Sequence, residues 1–160
     1  MKNSYRFTRF VVALMLAVTF ALPHSADAYD DSVALHGIHH GKAFFDFNLT
    51  MVPEEMFPLL LRGVIETHGS LVAQGVTPDF IVSFRGFNMH WLAKTTSGDI
   101  AQMITTLDYL GVRIEACNWV MDKLGMDPET LLPEIEVVGN SWISGIAYES
   151  KNKEYSRITF

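Results

Sequence analysis

The chain has 160 residues, 49% of them hydrophobic, and a formal net charge of −6. This length fits one domain with a substantial core and leaves no room for two. The acidic balance, without any run of Lys and Arg, excludes nucleic acid and anionic lipid as expected partners, because both attract clustered positive charge.

The first 28 residues have the three zones of a secretory signal peptide. Three basic residues precede an apolar stretch at residues 10–22, and Ala26-Asp27-Ala28 supplies the small residues of a cleavage site. The apolar stretch is short for a membrane span, which needs about 20 residues. We therefore expect cleavage before Tyr29 and a periplasmic mature protein without a stable membrane span. Its formal charge is −8, because cleavage removes three of 12 basic and one of 18 acidic residues.

Residues 29–41 are polar and rich in histidine, which predicts a loosely held arm. His36, His39 and His40 form an H-x-x-H-H cluster, and histidines at positions i and i+4 can share a metal on a helix. Two neighbouring glycines disfavour a helix here, and no acidic or thiol ligand lies nearby in sequence. We therefore predict no metal site and keep these three histidines as weak candidates.

Predicted strands and helices alternate along the mature chain. Apolar runs predict strands at residues 42–49, 79–86, 112–117 and 134–139, with a possible fifth edge strand at 154–160. Helical spacing and capping signals predict helices at residues 53–75, 96–110, 118–125 and 140–148. Pro58 either places the start of the first helix near Met56 or kinks that helix.

Continuous apolar runs indicate a parallel sheet covered on both faces. We predict a three-layer flavodoxin-like α/β fold for residues 42–160, with a mostly parallel sheet of four or five strands and helices on both faces. Right-handed crossovers place the carboxyl ends of the strands at one edge, where open α/β sheets hold their sites. The polar residues expected there are Asn48, Thr50, Arg85, Cys117, Asn118, Asn140 and Ser141.

Cys117 is the only cysteine of the chain, so it cannot form an intrachain disulfide. It stands where a predicted strand ends and a helix begins, a position in which backbone N–H groups favour a thiolate. Arg85 at the same edge would lower the thiol pKa further and hold an anionic sulfur group. The alternatives are that Cys117 is a small buried hydrophobe and that Arg85 is an ordinary ion-pair partner.

The long loop at residues 87–96 contains His90 and Trp91. His90 is a candidate acid/base group on a lid over the cysteine. The alternative is that both residues pack in a subunit interface, where aromatic side chains are enriched.

The mature chain resembles the DsrE/DsrF-like family of small sulfur-relay proteins, as an exported member. The resemblance rests on KAFFD at 42–46, HGSLVAQGV at 68–76 with PDF at 78–80, VRIEAC at 112–117 and LPEIEVVGNS at 132–141. It implies a flavodoxin-like subunit that assembles into trimers or hexamers. It also implies that Cys117 carries a persulfide.

These observations give three functional hypotheses. The leading one is a sulfur carrier, at most a sulfurtransferase, in which Cys117 exchanges sulfur with a thiol-bearing partner protein and Arg85, Asn118, His90, Asn140 and Ser141 support it. The second is a non-catalytic oligomeric binding module with a strand-end cleft, and the third is metal binding through the histidine arm.

No cofactor is expected. Large apolar groups in loops and short helices favour a homo-oligomer, trimer or hexamer.

Overall fold

The computed structural model of the chain describes residues 31, 34–96 and 98–160. The chain divides into two units, Met1–Asp31 and Ser32–Phe160, and every element below belongs to the second. The predicted signal peptide at residues 1–28 lies outside the described residues, and so does part of the predicted arm.

Five strands and four α-helices alternate within the described residues. The strands are β1 (His40–Asn48), β2 (Thr77–Arg85), β3 (Arg113–Cys117), β4 (Glu136–Val138) and β5 (Ser156–Thr159). The helices are α1 (Phe57–Ala73), α2 (Gly98–Tyr109), α3 (Asn118–Leu124) and α4 (Ser141–Tyr148). Short 3₁₀ turns lie at Glu54–Met56, Met89–Leu92 and Pro128–Thr130.

All strand pairings are parallel, and the strand order is β4-β3-β2-β1-β5. The predicted three-layer α/β fold with a mostly parallel sheet is confirmed. The order itself differs from the 2-1-3-4-5 order of flavodoxin. Strands β1 to β4 follow one another across the sheet in one direction, and β5 then pairs with the other edge of β1. Right-handed crossovers therefore place α1, α2 and α3 on one face and α4 alone on the other.

Local signals account for the helix ends. Pro58 lies in the first turn of α1, which begins at Phe57, so the predicted start near Met56 is the alternative that holds. Gly125 adopts the left-handed conformation that ends α3. The Asn140 side chain caps α4 by accepting a hydrogen bond from the backbone N–H of Trp142 at 3.0 Å.

The two faces of the sheet carry cores of very different size. A large apolar cluster lies under α1, α2 and α3 and includes Phe47, Phe57 and Phe84. Trp91 belongs to this cluster, with its ring centroid 5.3 Å from that of Phe57. The interface alternative for Trp91 is therefore wrong. On the α4 face, the buried cluster comprises only Phe44, Ile81 and Tyr148 within the described residues.

Gly86 follows β2 and brings the ends of β1 and β2 together. Its φ is +111°, a region that side chains with a Cβ rarely adopt, and a Cβ there would lie 2.5 Å from the backbone nitrogen of Thr50. The segment around Thr50 is held in place, because the backbone N–H of Phe87 donates to Thr50 Oγ1 at 2.8 Å. Glycine is therefore required at position 86, where the ends of β1 and β2 approach closely.

The variant Gly86→Ala should lower the free energy of unfolding by about 2–4 kcal/mol, because it combines backbone strain with a collision. Urea denaturation measures this change. The matched control is Gly63→Ala in the interior of α1, where a Cβ meets no atom within 4 Å. That variant should raise the free energy of unfolding by up to about 1 kcal/mol, because alanine has a higher helix propensity than glycine. Equal effects of the two substitutions would contradict this account of Gly86.

Candidate functional site

A cleft of about 340 Å³ opens at the carboxyl ends of β1 and β2, beside α3 and α4. We call it the strand-end cleft. It is lined by Asn48, Thr50, Arg85, Gly86, Phe87, Trp119, Val120, Lys123 and Trp142. It lies at the predicted sheet edge and contains three of the polar residues expected there, Asn48, Thr50 and Arg85. Its volume falls at the small end of the range for small-molecule pockets, roughly 300–1,000 Å³.

Two tilted tryptophan rings lie between two cations in this cleft. The rings of Trp119 and Trp142 have centroids 5.5 Å apart with an interplanar angle of 54°. Lys123 Nζ lies 5.9 Å from the Trp119 centroid, and Arg85 Cζ lies 5.6 Å from the Trp142 centroid. Both contacts are within cation–π range. The tryptophans are 47% and 42% exposed, so their rings remain accessible to a ligand.

Arg85 is held by a buried carboxylate. Its Nε donates to Asp46 Oδ1 at 2.8 Å, and its Nη2 donates to Asp46 Oδ2 at 3.3 Å. Arg157 Nη1 reaches the same Oδ2 at 3.2 Å, and Arg157 also pairs with Glu149. Arg85 is therefore an ion-pair partner of a carboxylate, as the alternative prediction had it. The pairing fixes the guanidinium while leaving it in the wall of the cleft.

The lining of the cleft differs in charge from the chain as a whole. None of the described residues that line it is Asp or Glu, although the chain carries 18 acidic and 12 basic residues. Arg85 and Lys123 are the charged groups of the lining. This composition favours an anionic ligand over a cationic one.

Cys117 ends β3 and occupies the position before the first residue of α3. Its side chain is fully buried, and its Sγ accepts a hydrogen bond from the backbone N–H of Ser141 at 3.4 Å. The register that pairs Phe84 with Ala116 makes Arg85 and Cys117 neighbours on adjacent strands about 4.8 Å apart. The Arg85 guanidinium, however, bonds to Asp46 on the other side. Cys117 does not line the cleft, whereas Trp119 and Val120 of the following helix do.

Three predicted supporting residues have local structural roles. Asn140 caps α4, and Ser141 provides the N–H that contacts Cys117. Asn118 Nδ2 donates to Asp122 Oδ2 along α3 at 3.3 Å. None of the three lines the cleft. Ser141 is the one of this group that touches the thiol.

His90 is exposed and lines a depression of about 720 Å³ together with Lys94, Met126 and Glu129. The other three residues of the 3₁₀ turn Met89–Leu92 are buried in the core, which leaves His90 facing outward. Cys117 is not among the residues that line this depression, and a lid role of His90 stays a prediction.

The three histidines of the predicted arm are exposed, and His40 is already the first residue of β1. Across residues 31, 34–96 and 98–160, no three His, Cys, Asp or Glu side chains are grouped so that they could hold a metal ion. The same residues contain no helix that is both long and apolar enough to cross a membrane.

A buried polar row crosses the sheet under α4, and the sequence patterns did not reveal it. The parallel register aligns the row as Thr159, Asp46, Ser83, Glu115 and Glu136. Its three central members are buried. A detectable signal existed, because each of the first three strands carries one such polar residue within its apolar run. Only the strand register, which local patterns do not contain, shows that the three are neighbours.

Glu115 anchors α4 from this row. Its Oε1 accepts a hydrogen bond from the Tyr148 hydroxyl at 2.7 Å and lies 3.2 Å from Arg113 Nε. Burial, followed by the bond to Glu115, raises the pKa of Tyr148 to about 12, so the hydroxyl keeps its proton at neutral pH. Five buried side-chain oxygens have no partner within the described part of the chain, and three of them belong to this row or to α4, namely Ser83 Oγ, Glu115 Oε2 and Ser141 Oγ.

Comparison with solved structures supports the fold. The structure of MTH1491 from Methanobacterium thermoautotrophicum, a protein of unknown function, aligns with 76% of this chain and 99% of its own. The TM-score is 0.60 and the sequence identity is 19%. No family model matches the chain, and no curated protein matches it at a significant level. The similarity shows that the two chains share the α/β fold.

Proposed function

We propose that this protein is a binding module that holds a small organic anion with a flat apolar body in the strand-end cleft. The observation that carries the proposal is the cluster of Lys123, Trp119, Trp142 and Arg85, in which the two indole rings lie next to each other and each contacts a cation. The exposed indole rings provide a surface for a flat apolar group. Of the cations on either side of them, Arg85 is already paired with Asp46, so Lys123 is the group that favours a ligand with a negative charge.

The burial of Cys117 favours this function over sulfur relay. A thiol acts as a nucleophile only when it is ionised and can be reached by its reaction partner. Cys117 has no exposed surface in the observed conformation, and the described groups around it belong to the folded core. The cleft, by contrast, is open to solvent through its exposed tryptophans.

The fluorescent anion 8-anilinonaphthalene-1-sulfonate should bind the native protein saturably at one site per chain. Trp119→Ala should weaken binding about tenfold or more, because one aromatic face contributes roughly 1–3 kcal/mol to stacking. Lys123→Gln should weaken binding of this anion more than binding of the neutral analogue N-phenyl-1-naphthylamine. Fluorescence titration measures each affinity.

Tyr109→Ala is the matched control, because Tyr109 is a highly exposed aromatic side chain on α2 outside the cleft. It should leave both affinities unchanged. Absence of saturable binding, or equal losses from the Trp119 and Tyr109 substitutions, would contradict the proposal.

A second candidate function, sulfur transfer through Cys117, is supported by the hydrogen bond from the Ser141 N–H to Sγ, because such donors stabilise a thiolate. In this chemistry the thiolate attacks the outer sulfur of a donor persulfide, R–S–SH. The donor S–S bond breaks, the donor leaves as R–S⁻, and Cys117 becomes Cys–S–SH. A partner thiolate then takes the outer sulfur by the same exchange in reverse.

Incubation with a low-molecular-weight persulfide should add the mass of one sulfur atom to the native protein, as measured by intact-mass spectrometry. Cys117→Ser should show no addition, and reduction with dithiothreitol should reverse it. An unmodified wild-type protein after prolonged incubation under native conditions would argue against sulfur transfer and leave the cleft proposal untouched.

Periplasmic location and homo-oligomeric assembly stay predictions. The outer surface of α4 supplies exposed apolar side chains suited to assembly, namely Trp142, Ile143 and Ile146. Light scattering would decide between a monomer, a trimer and a hexamer.

A further inference from the structure

Helix α4 has an unusual distribution of polarity. The residues it buries are Ser141, Gly145 and Tyr148, whereas Ile143 and Ile146 on the opposite side are 66% and 70% exposed. Gly145 lies so close to Phe44 and Arg157 that a Cβ would collide with the arginine side chain. The underside of α4 is therefore small and polar, and burial of apolar side chains contributes little to its attachment.

A few identifiable contacts attach α4 to the sheet. The Tyr148 ring stacks on Phe44 with centroids 5.6 Å apart, and its hydroxyl donates to Glu115. Glu149, directly after the helix, pairs with Arg157 on β5. Segments with few buried apolar contacts open at a lower free energy than the rest of a domain. The large cluster under α1, α2 and α3 contains no residue of α4.

The groups beneath α4 also favour its release. Ser83 Oγ, Ser141 Oγ and Glu115 Oε2 are buried without a partner among the described residues. An unsatisfied buried polar atom costs free energy that is recovered when water reaches it. Cys117 is on the same face of the sheet as Ser83 and Glu115, and its sulfur contacts the first residue of α4.

We propose that α4 is a cover over Cys117 that opens while the rest of the domain stays folded, and that this opening is what exposes the thiol to reagents and partners. Opening breaks the contact between the Ser141 N–H and Sγ and admits water to the unpartnered oxygens. The thiol is thus a gated modification site, and its reactivity is set by the anchors at Tyr148 and Glu149. Because Trp142 of α4 also lines the strand-end cleft, a ligand bound there would disfavour opening, so the tests below use the protein without added ligand.

Alkylation of Cys117 by iodoacetamide in increasing urea, followed by mass spectrometry, tests the cover in the unmodified protein. A local opening exposes little surface, so the rate should be nearly constant at low urea and rise steeply only near global unfolding. The proposal would be overturned if the logarithm of the alkylation rate rose, already at the lowest urea concentrations, with the same urea dependence as global unfolding. A rate equal to that of a free thiol at all urea concentrations would also overturn it.

Tyr148→Phe keeps the ring on Phe44 and removes the hydrogen bond to Glu115, so alkylation at low urea should become about five- to tenfold faster. The matched control is Val64→Ala, which creates a cavity in α1 on the other face of the sheet and lowers global stability. The control should leave the low-urea rate unchanged. An unchanged rate in Tyr148→Phe, or the same acceleration in both variants, would contradict gating by α4.

Discussion

Asp46 lies buried near the carboxyl end of β1 with its two carboxylate oxygens bonded to Arg85 and Arg157. A buried charge is tolerated only when it is paired and hydrogen-bonded, so the two arginines are necessary partners of this residue. The pairing joins β2 and β5 to β1 through side chains as well as through the backbone ladder. It also fixes the Arg85 guanidinium at the wall of the strand-end cleft.

The same polar arrangement explains why the two faces of the sheet differ. Under α1, α2 and α3 the sheet presents a continuous apolar surface that supports a large core. Under α4 it presents Asp46, Ser83 and Glu115, of which Asp46 is paired by two arginines and Glu115 accepts the Tyr148 hydroxyl of α4. Helix α4 therefore contributes small and polar groups inward and leaves its apolar side chains outward. The burial of Cys117, the strand-end cleft and the weak attachment of α4 are consequences of this arrangement.

The sequence predicted most of the fold because the responsible signals are local. Apolar runs located the strands, and Pro58, Gly125 and Asn140 located helix ends where the structure has them. The strand-end edge follows from parallel topology, so the sequence predicts the positions of Asn48, Thr50 and Arg85 there. The signal peptide and the DsrE/DsrF-like resemblance stay predictions.

The parts that could not be predicted depend on register and on tertiary packing. His90 faces solvent because its neighbours in the 3₁₀ turn are buried, which no spacing rule contains. The alignment of Asp46 with Ser83 and Glu115 requires knowing which strands are adjacent and how they are offset. Cys117 is buried within the large apolar cluster and in contact with the first residue of α4, a tertiary arrangement that the strand and the helix cap on either side of it do not contain.

The central claim is that the Asp46–Arg85 pair stabilises the α4 face of the sheet and its cleft. A double-mutant cycle with Asp46→Asn, Arg85→Gln and the combined variant, measured by urea denaturation, tests it most directly. We expect each single substitution to destabilise strongly, by about 3–5 kcal/mol for Asp46→Asn. The double variant should lose at least about 1.5 kcal/mol less than the two single losses added together. Losses that add to within about 0.3 kcal/mol would show that the two side chains act independently and would contradict the account.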